Sequence, residues 1–412
     1  MAINFYNTLK RRKEIFKSIN PGFVGLYTCG PTVYNYSHIG NFSTFIFEDL
    51  LKKWLVHSGF KVKHIMNITD VDDKTIQKSK DNNISLQKLT DYYESKFKDD
   101  LNWLKIEDAN LYPKATDSIT EMISMISALL EAGYAYLEND SSVYFKINSY
   151  KDYGNLSNIV LDAKKLKRNI LKDEYDKKSP QDFALWKGYK KSDGEIFWES
   201  PWGKGRPGWH IECSAMSMKY LGNSFDIHCG GVDNIFPHHE NEIAQSECFS
   251  GKKFVNYWMH SEHLMIDKNK MSKSEGNFYT IEYLKKYGFK PGSLRYLLLS
   301  GHYRTRINFS LKSKIEGNRV IDRVESFARR LRKRGVLDLE KSYLIIPKEY
   351  FIFKENMDND LDTPKALAVF FNYMKLINKK MDNNNLSIKE LGKSWRFLND
   401  FNNIFNFIDM DD

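Results

Sequence analysis

The sequence predicts an α/β protein whose parallel sheet is interrupted by an insertion and followed by a helical bundle. A strand-like run at 25–29, a helical spacing of apolar residues at 44–55 and a β-rich run at 62–68 form one βαβ unit. Such a unit requires parallel strands. Strand–helix alternation returns over 206–254, after a stretch of different composition. Beyond about residue 312 the apolar residues follow a helical period.

Composition excludes several classes of protein. The chain has 412 residues, of which 42% are apolar and 14% aromatic, so it can bury a large core and is not intrinsically disordered. Its four cysteines are too few for a disulfide framework, which favours a reducing, cytoplasmic environment. No uninterrupted apolar run reaches the roughly 18 residues of a membrane span. The net charge of +9 is compatible with an anionic partner but does not identify one.

The order of these elements predicts an α/β domain that a connective insertion divides into two halves. Within the insertion, short strand-like pieces alternate with charged loop. Seven basic residues lie within 164–178, and we interpret them as a solvated loop rather than an RNA contact. The predicted segments are the first half of this domain at 1–118, the insertion at 119–205, the second half at 206–254, a further short α/β segment at 255–311 and the helical bundle at 312–412.

The helical bundle begins with a strongly basic helix. An apolar stripe with helical spacing predicts its packed face, formed by Val320, Val324, Phe327 and Leu331. Residues 312–334 contain nine basic and three acidic side chains, a net charge of +6. We expect this charge to line the outer face of the helix. A solvated surface and a surface that follows RNA phosphates are both compatible with it.

A loop between the first predicted strand and helix has the features of an anion site. It reads PTVYNYSHIGN from Pro31 to Asn41. The amino end of a helix offers unpaired N–H groups and the positive end of a dipole to a phosphate. Gly40 allows a ring or a phosphate close to the backbone, and His38 can bond to phosphate oxygens. A His-x-Gly sequence alone is weak evidence, because an isolated histidine is more often structural.

A second loop is cationic. Lys270 and Lys273 lie three residues apart, among serines and a glycine, in the segment KMSKSEGN. Such a loop can neutralise a triphosphate as negative charge builds up on the leaving pyrophosphate. By composition alone it would be a solvated turn, so its value as evidence lies in the order of its residues.

Four potential metal ligands come from separate parts of the sequence. His238 and Glu242 are four residues apart on a predicted helix and therefore share one face. With thiolates from Cys29 and Cys213 they would provide two sulfur, one nitrogen and one oxygen ligand. Zinc accepts such a set of ligands.

Taken together and in order, these segments resemble the cysteinyl-tRNA synthetases, a family of class I aminoacyl-tRNA synthetases. HIGN at 38–41 is similar to the HIGH signature of that class, with asparagine in place of the final histidine, and KMSKS at 270–274 matches the second signature. The other matching segments extend over nearly the whole chain: YTCGPTVY at 27–34, NITDVDDK at 67–74, GWHIECSAM at 208–216, FPHHENEIAQSE at 236–247 and LLLSGHYR at 297–304.

The resemblance implies a Rossmann-type fold, a KMSKS segment that contacts the tRNA stem and a bundle that binds tRNA. It also implies one zinc ion that binds the thiolate of the substrate cysteine. A pocket that reads shape alone separates cysteine from serine by only about 1–3 kcal/mol, whereas zinc strongly favours a thiolate over a hydroxyl. No editing site is then required. The implied ligands are Cys29, Cys213, His238 and Glu242.

The same resemblance implies two reaction steps and a role for the residues around the substrates. The carboxylate of L-cysteine attacks the α-phosphorus of ATP, which binds with Mg²⁺, and the terminal ribose hydroxyl of tRNA(Cys) then attacks the adenylate. No protein nucleophile takes part, so catalysis depends on positioning and charge. The implied residues are Gly30, Thr69 and Trp209 at the amino acid, His38, Gly40, Asn41 and Asp233 at ATP, and Lys270 and Lys273 at the phosphates.

Several cysteines and histidines near these segments have no role in that scheme. We interpret Cys229, where the family usually has glycine, and Cys248 as residues that fill the core. For three histidines the sequence leaves open whether they pack in the core or orient the metal ligands; these are His210, His228 and His239.

Two alternatives to a monomeric cysteine–tRNA ligase follow from the same residues. One is a paralogous ligase that passes cysteine from its adenylate to a small amine such as an amino sugar. Family members commonly continue into a small α/β module that helps to read the anticodon, whereas this chain stops at Asp412, which mildly favours that alternative. The other is a non-catalytic RNA-binding relative, against which the intact signatures argue. The basic helix and the signatures favour the tRNA ligase.

Overall fold

The structure is a computed structural model, and it describes residues 2–159, 181–270, 277–340 and 345–410. The strands are β1 (Asn4–Asn7), β2 (Arg12–Ile15), β3 (Phe23–Thr28), β4 (Lys61–Met66), β5 (Ala135–Leu137), β6 (Val143–Phe145), β7 (Phe183–Gly188), β8 (Gly205–Pro207), β9 (Phe225–Gly231), β10 (Val255–Ser261), β11 (Leu264–Ile266), β12 (Asn269–Lys270) and β13 (Ile307–Phe309). The helices are α1 (Ile39–His57), α2 (Asp73–Asp81), α3 (Leu86–Trp103), α4 (Ile119–Glu131), α5 (Trp209–Leu221), α6 (Glu240–Ser250), α7 (Ile281–Tyr287), α8 (Pro291–Leu299), α9 (Lys314–Arg332), α10 (Lys348–Asp358), α11 (Thr363–Asp382) and α12 (Ile388–Phe405). Within the described ranges, no helix has both the length and the apolar composition needed to cross a lipid bilayer.

The central sheet consists of four parallel strands in the order β10-β9-β3-β4. β3, α1 and β4 form the βαβ unit that the sequence predicts, and β9 pairs with the other edge of β3. The strand order therefore reverses between β3 and β9. In open parallel sheets, ligands bind at such a reversal, outside the carboxyl ends of the strands. The predicted α/β fold with a parallel sheet is confirmed.

A second, antiparallel sheet begins within the stretch predicted as the insertion, but its last strand, β8, extends two residues beyond the predicted boundary at residue 205. Its strands follow the order β5-β6-β7-β8. Lys187 of β7 and Arg206 of β8 both donate to the carboxylate of Asp73, at the start of α2. One acidic side chain thus receives cationic donors from two strands of this sheet, and the sheet also packs its apolar side chains against α5. The basic segment 164–178 lies outside the described residues.

The apolar stripe of α9 begins one residue later than predicted. Val320 is half-buried, whereas Ile321 is buried together with Val324, Phe327 and Leu331. The reason is geometric, since Ile321 precedes Val324 by three residues and falls on the same face of a helix with 3.6 residues per turn.

The expectation that the charge of residues 312–334 lines the outer face is wrong for Arg330 and Arg332, which are half-buried, whereas Arg334 is exposed and also bonds within the bundle. Arg330 donates to Asn378 Oδ1 (2.6 Å) and to Asp382, and Arg334 donates to the carbonyl oxygen of Met381 (2.8 Å). The guanidinium of Arg332 lies 5.6 Å from the ring centroid of Trp395. These arginines bind the helical bundle itself. The basic side chains that remain exposed on α9 and directly after it include Arg319, Arg323, Arg329 and Lys333.

A buried ion pair joins α1 to the C-terminal helices. Arg295 of α8 is completely buried, and its Nη2 donates to Asp49 Oδ2 of α1 (2.6 Å). Its Nε donates to the carbonyl oxygen of Phe405 at the end of α12 (2.7 Å). Burial alone would raise the pKa of Asp49, but Arg295 and Lys53 outweigh it and hold that pKa below the ordinary value of 3.8. The pair therefore connects three helices in a dry environment.

Arg295→Met should lower the free energy of unfolding by about 3–5 kcal/mol, because it leaves the charge of Asp49 buried with Lys53 as its main partner. Urea denaturation measures this loss. The pKa of Asp49 is lowered in the folded state, so its stabilising effect is complete well above pH 3.8 and is lost as the pH falls through the folded value. The difference between the variant and the wild type should therefore shrink in acid.

Lys290→Met is a matched control for this variant. Lys290 precedes the same helix and pairs with Asp322 and Glu325, but its side chain is 40% exposed. Exposed ion pairs contribute about 0–1 kcal/mol. Equal losses in the two variants would contradict the importance of the buried pair.

Candidate functional site

A pocket of about 510 Å³ opens at the carboxyl ends of the parallel strands. Residues that follow β3, β4, β9 and β10 line it, together with the amino ends of α1 and α5. This is the position that the reversal in strand order favours. The predicted site residues that line the pocket are Cys29, Gly30, His38, Gly40, Asn41, Thr69, Trp209, Cys213, Asp233 and His238.

Among the described side chains, one predicted site residue, Glu242, does not line the pocket, and the side chains of Lys270 and Lys273 lie outside the described part of the structure. Glu242 lies on α6 and is fully buried behind the pocket wall. Lys270 is the last residue of β12 and precedes the segment 271–276, which is outside the described residues. Lys273 falls within that segment, so its predicted role at the phosphates remains a prediction.

The four predicted metal ligands lie together. One potential ligand atom from each of Cys29, Cys213, His238 and Glu242 lies within 4.8 Å of all the others. His238 Nε2 is 3.1 Å from Glu242 Oε1, yet this oxygen has no hydrogen-bond partner although it is fully buried. A buried carboxylate oxygen without a donor, beside two thiols and an imidazole, is the environment that a cation would satisfy.

The protonation states of the cluster follow from its burial. Burial lowers the pKa of His238 to about 3, so the imidazole is neutral and can act as a ligand. Burial also raises the pKa of Glu242 to about 7, although His238 opposes this shift. The contact with Cys213 and burial raise the pKa of Cys29 well above 9.0. A divalent metal would therefore have to displace protons from the thiols as it binds.

Other histidines contact the four ligands from behind. His228 Nε2 lies 3.0 Å from Glu242 Oε2, and His210 Nδ1 lies 2.9 Å from His238 Nδ1. His239 Nε2 lies 3.3 Å from Cys29 Sγ. These contacts favour the orientation of ligands over plain packing for all three histidines that the sequence left open.

Two contributions to this cluster were not predicted. His228 and His239 form a second set of possible ligands with Cys29 and Glu242, so two sets share two of their members. His260, for which the sequence predicts no role, lies 2.8 Å from His239 Nδ1 through its Nε2. Neither relation is visible in the sequence, because these histidines come from different strands and helices.

Trp209 and the two remaining cysteines also have defined places. The ring of Trp209 stacks on His238, with 4.3 Å between the ring centroids and 25° between the planes. It therefore forms a wall beside the possible metal ligands. Cys229 is fully buried in β9, and Cys248 is half-buried on α6. Neither cysteine lines the pocket, in agreement with a packing role.

The amino end of α1 is closed by a reciprocal pair of hydrogen bonds. The N–H of Asn41 donates to His38 Nδ1 (3.2 Å), and the N–H of His38 donates to Asn41 Oδ1 (3.1 Å). Because Nδ1 is an acceptor here, the neutral ring carries its hydrogen on Nε2. Asn41 thus completes the helix cap, which explains how asparagine can occupy the last position of HIGN.

Asp233 folds back over a glycine at the end of β9. A Cβ atom on Gly231 would lie 2.4 Å from Asp233 Oδ1, so a larger residue would displace the carboxylate. The carboxylate therefore lies against the backbone, on the pocket side of the sheet.

Comparison with known families matches two parts of the chain to family models. Residues 15–318 match the family model for the tRNA synthetases class I (C) catalytic domain, and residues 352–409 match the model for the DALR domain. The chain is 48% identical to the cysteine–tRNA ligase of Brachyspira hyodysenteriae, over 100% of this chain and 87% of that protein. It is 49% identical to the cysteine–tRNA ligase of Chlamydia pneumoniae, over 94% of this chain and 82% of that protein.

The chain belongs to the cysteine–tRNA ligase family.

Solved structures of other class I synthetases share the fold of this family member. A methionyl-tRNA synthetase of Mycobacterium tuberculosis in complex with methionyl-adenylate has a TM-score of 0.64 at 12% identity, covering 93% of this chain and 90% of that one. A LeuRS of Agrobacterium radiobacter K84, in a ternary complex with tRNA and LeuAMS, has a TM-score of 0.65 at 11% identity, covering 95% and 85%. The two relatives and the family models confirm the resemblance to the cysteinyl-tRNA synthetases, and the amino-sugar ligase is not favoured.

Proposed function

We propose that the chain is a cysteine–tRNA ligase, which activates L-cysteine with ATP and transfers it to the terminal ribose of tRNA(Cys). One observation carries this proposal. A cluster of two thiols, an imidazole and a carboxylate adjoins the same pocket as the capped amino end of α1. The cluster suits a thiol substrate, and the helix end suits phosphate oxygens.

The cysteine carboxylate would attack the α-phosphorus of ATP, forming the mixed anhydride and releasing pyrophosphate with its electron pair. His38 would donate from Nε2 to phosphate oxygens, since its Nδ1 is used by the helix cap. Gly40, Asn41 and Asp233 would surround the nucleotide, which binds with Mg²⁺. Lys270 and Lys273 would neutralise the leaving pyrophosphate, a role supported by the KMSKS signature.

The pocket residues near the cluster would hold the amino acid. Cys29, Cys213, His238 and Glu242 would bind one Zn²⁺, which would supply a position for the substrate thiolate. Gly30 and Thr69 would contact the rest of the amino acid, and Trp209 would close the wall beside it. The buried histidines would keep the metal ligands in place. Serine lacks a thiol and would therefore gain no comparable contact with the metal.

Cys213→Ser should lower bound zinc and cysteine activation together, because it replaces a thiolate ligand by a hydroxyl. Metal analysis of the purified protein and cysteine-dependent exchange of pyrophosphate into ATP measure the two effects. Zinc retention should also fall between pH 8 and pH 6, since protons compete for the thiols and for Glu242, whose pKa is about 7.

Cys248→Ser is the control for the loss of one thiol, because Cys248 lies outside the four-residue cluster. It should retain both zinc and exchange activity. A normal zinc content in Cys213→Ser would refute the ligand assignment.

The exposed basic side chains on and after α9 are proposed to contact tRNA phosphates. Neutralising Arg319, Arg323, Arg329 and Lys333 together should weaken tRNA binding and flatten its dependence on salt, since each lost phosphate contact lowers the slope by about 0.7–0.9. Filter binding at several salt concentrations measures both quantities. Arg330→Gln is the control, because Arg330 already pairs within the bundle. If the fourfold variant keeps the tRNA affinity and the salt dependence of the wild type, the proposed contact is wrong and this surface faces only solvent.

Three sequence-based predictions belong to the same proposal. They are the five segment boundaries, a monomeric state and a cytoplasmic location. Light scattering of the purified protein at several concentrations tests the monomer.

The central test is transfer of labelled cysteine, with ATP and zinc-loaded protein, onto tRNA with a cysteine anticodon. We expect charging with cysteine and not with serine, because only cysteine offers a thiolate to the metal. Serine and an amino-sugar acceptor run in parallel. Adenylate formation with transfer to the amine, and without charging of tRNA, would overturn the proposal in favour of the paralogous ligase.

A further inference from the structure

The insertion turn, residues 150–158, closes over a buried side chain of α6. The N–H of Gly154 donates to Glu240 Oε1 (2.8 Å), and the N–H of Ser157 donates to Glu240 Oε2 (2.8 Å). Glu240 is the first residue of α6 and is fully buried. A backbone N–H can only donate, so the direction of both bonds is fixed. Both oxygens of this side chain are therefore held by one short turn of the backbone.

A single glycine allows the turn to present these two N–H groups. Gly154 has a φ of +97°, and a Cβ atom on it would lie 2.2 Å from the carbonyl oxygen of Ile159. The N–H of Ile159 donates in return to the carbonyl oxygen of Gly154 (3.2 Å). Any larger residue at this position would strain the turn and displace its N–H from Glu240. The bonds to Glu240 can therefore be disturbed from the turn without any change in α6.

Glu240 and Glu242 lie on opposite faces of α6. Two residues advance an α-helix by about 200°, because one turn takes 3.6 residues. Glu242 faces the cluster that it forms with Cys29, Cys213 and His238, whereas Glu240 faces the insertion turn. The helix is thus held between the insertion turn on one side and the candidate metal ligands on the other.

Two further side chains of α6 bond to the insertion turn. The hydroxyl of Tyr153 donates to Asn241 Oδ1, and the hydroxyl of Tyr150 donates to Glu247 Oε2 (2.5 Å). Asn241 directly precedes Glu242, whereas Glu247 lies five residues beyond it, which is more than one turn of the helix. The contacts at the amino end of α6 are therefore next to the cluster, and the contact through Glu247 is not.

We propose that Glu240 is a positioning residue for the metal site, and that the insertion turn acts through it to set how tightly the cluster holds its cation. The inference rests on the proposed function, because it takes the four ligands assigned there. Cys29 follows β3 and Cys213 lies on α5, so α6 must be fixed relative to both for Glu242 to complete the set. Loss of a partner behind a metal ligand typically lowers metal affinity about 10- to 100-fold.

Release of zinc from the purified full chain tests this role. Glu240→Gln keeps the size of the side chain but places an NH₂ group against one of the two N–H donors, so one bond is lost. We expect zinc transfer to a colorimetric chelator to become about 10- to 100-fold faster. In the chain loaded with Co²⁺, the visible spectrum should change, because it reports the geometry of the ligands. KM for cysteine should rise, whereas KM for ATP should not, since the nucleotide is proposed to bind at the amino end of α1.

Two further variants separate positioning from a general effect on α6. Gly154→Ala should speed zinc release as Glu240→Gln does, and should add little in the Glu240→Gln background if both act through the same bonds. Glu247→Gln is the matched control, because it makes the same change on the same helix, at a residue bonded to the same turn. It should release zinc at the wild-type rate. Tyr153→Phe removes only the hydroxyl that holds Asn241, and it replaces Glu240→Gln if that variant does not fold, with faster release again expected.

Two results would overturn the inference. One is a folded Glu240→Gln variant, or Tyr153→Phe in its place, with the zinc release and the Co²⁺ spectrum of the wild type. The other is an equally fast release in Glu247→Gln, which would show that any loss of a carboxylate from α6 has this effect. Failure of the proposed function would look different, because the wild-type chain would then retain its metal and show no pyrophosphate exchange that depends on cysteine.

Discussion

The pairing of β3 with a parallel strand on each side is the constraint on which the rest of the structure depends. Parallel strands bring their carboxyl ends to one edge, so Cys29, Asn67 and Gly231 meet there although they are distant in sequence. The helix after β3 begins at the same edge and directs its amino end toward the pocket. The proposed sites for a thiol and for phosphate therefore share one opening.

Burial then decides the chemistry of the side chains at this edge. Loss of water lowers the pKa values of His228, His238 and His260 to about 3 and raises that of Glu242 to about 7. The cluster can remain inside the protein because most of its groups are neutral without a metal.

The helical bundle is continuous with the catalytic core. Arg295 connects α1 with α8 and α12, so the helix that begins at His38 also carries part of the contact with the C-terminal helices. Arginines of α9 that bond within the bundle reduce the basic surface left for a partner. The net charge counted from the sequence of this helix is therefore larger than the charge that its exposed side chains offer to a partner.

The sequence by itself determined the βαβ unit, the two signature loops and the four candidate metal ligands, because each rests on short-range spacing or on a resemblance between ordered segments. It did not determine that Thr69 contacts Asn67 and Glu212, that His260 contacts His239, or that Arg330 bonds to Asn378. Each of these relations joins elements that are far apart along the chain. Only the tertiary structure decided them, since a hydrogen bond depends on distance and direction in space, which no periodicity encodes.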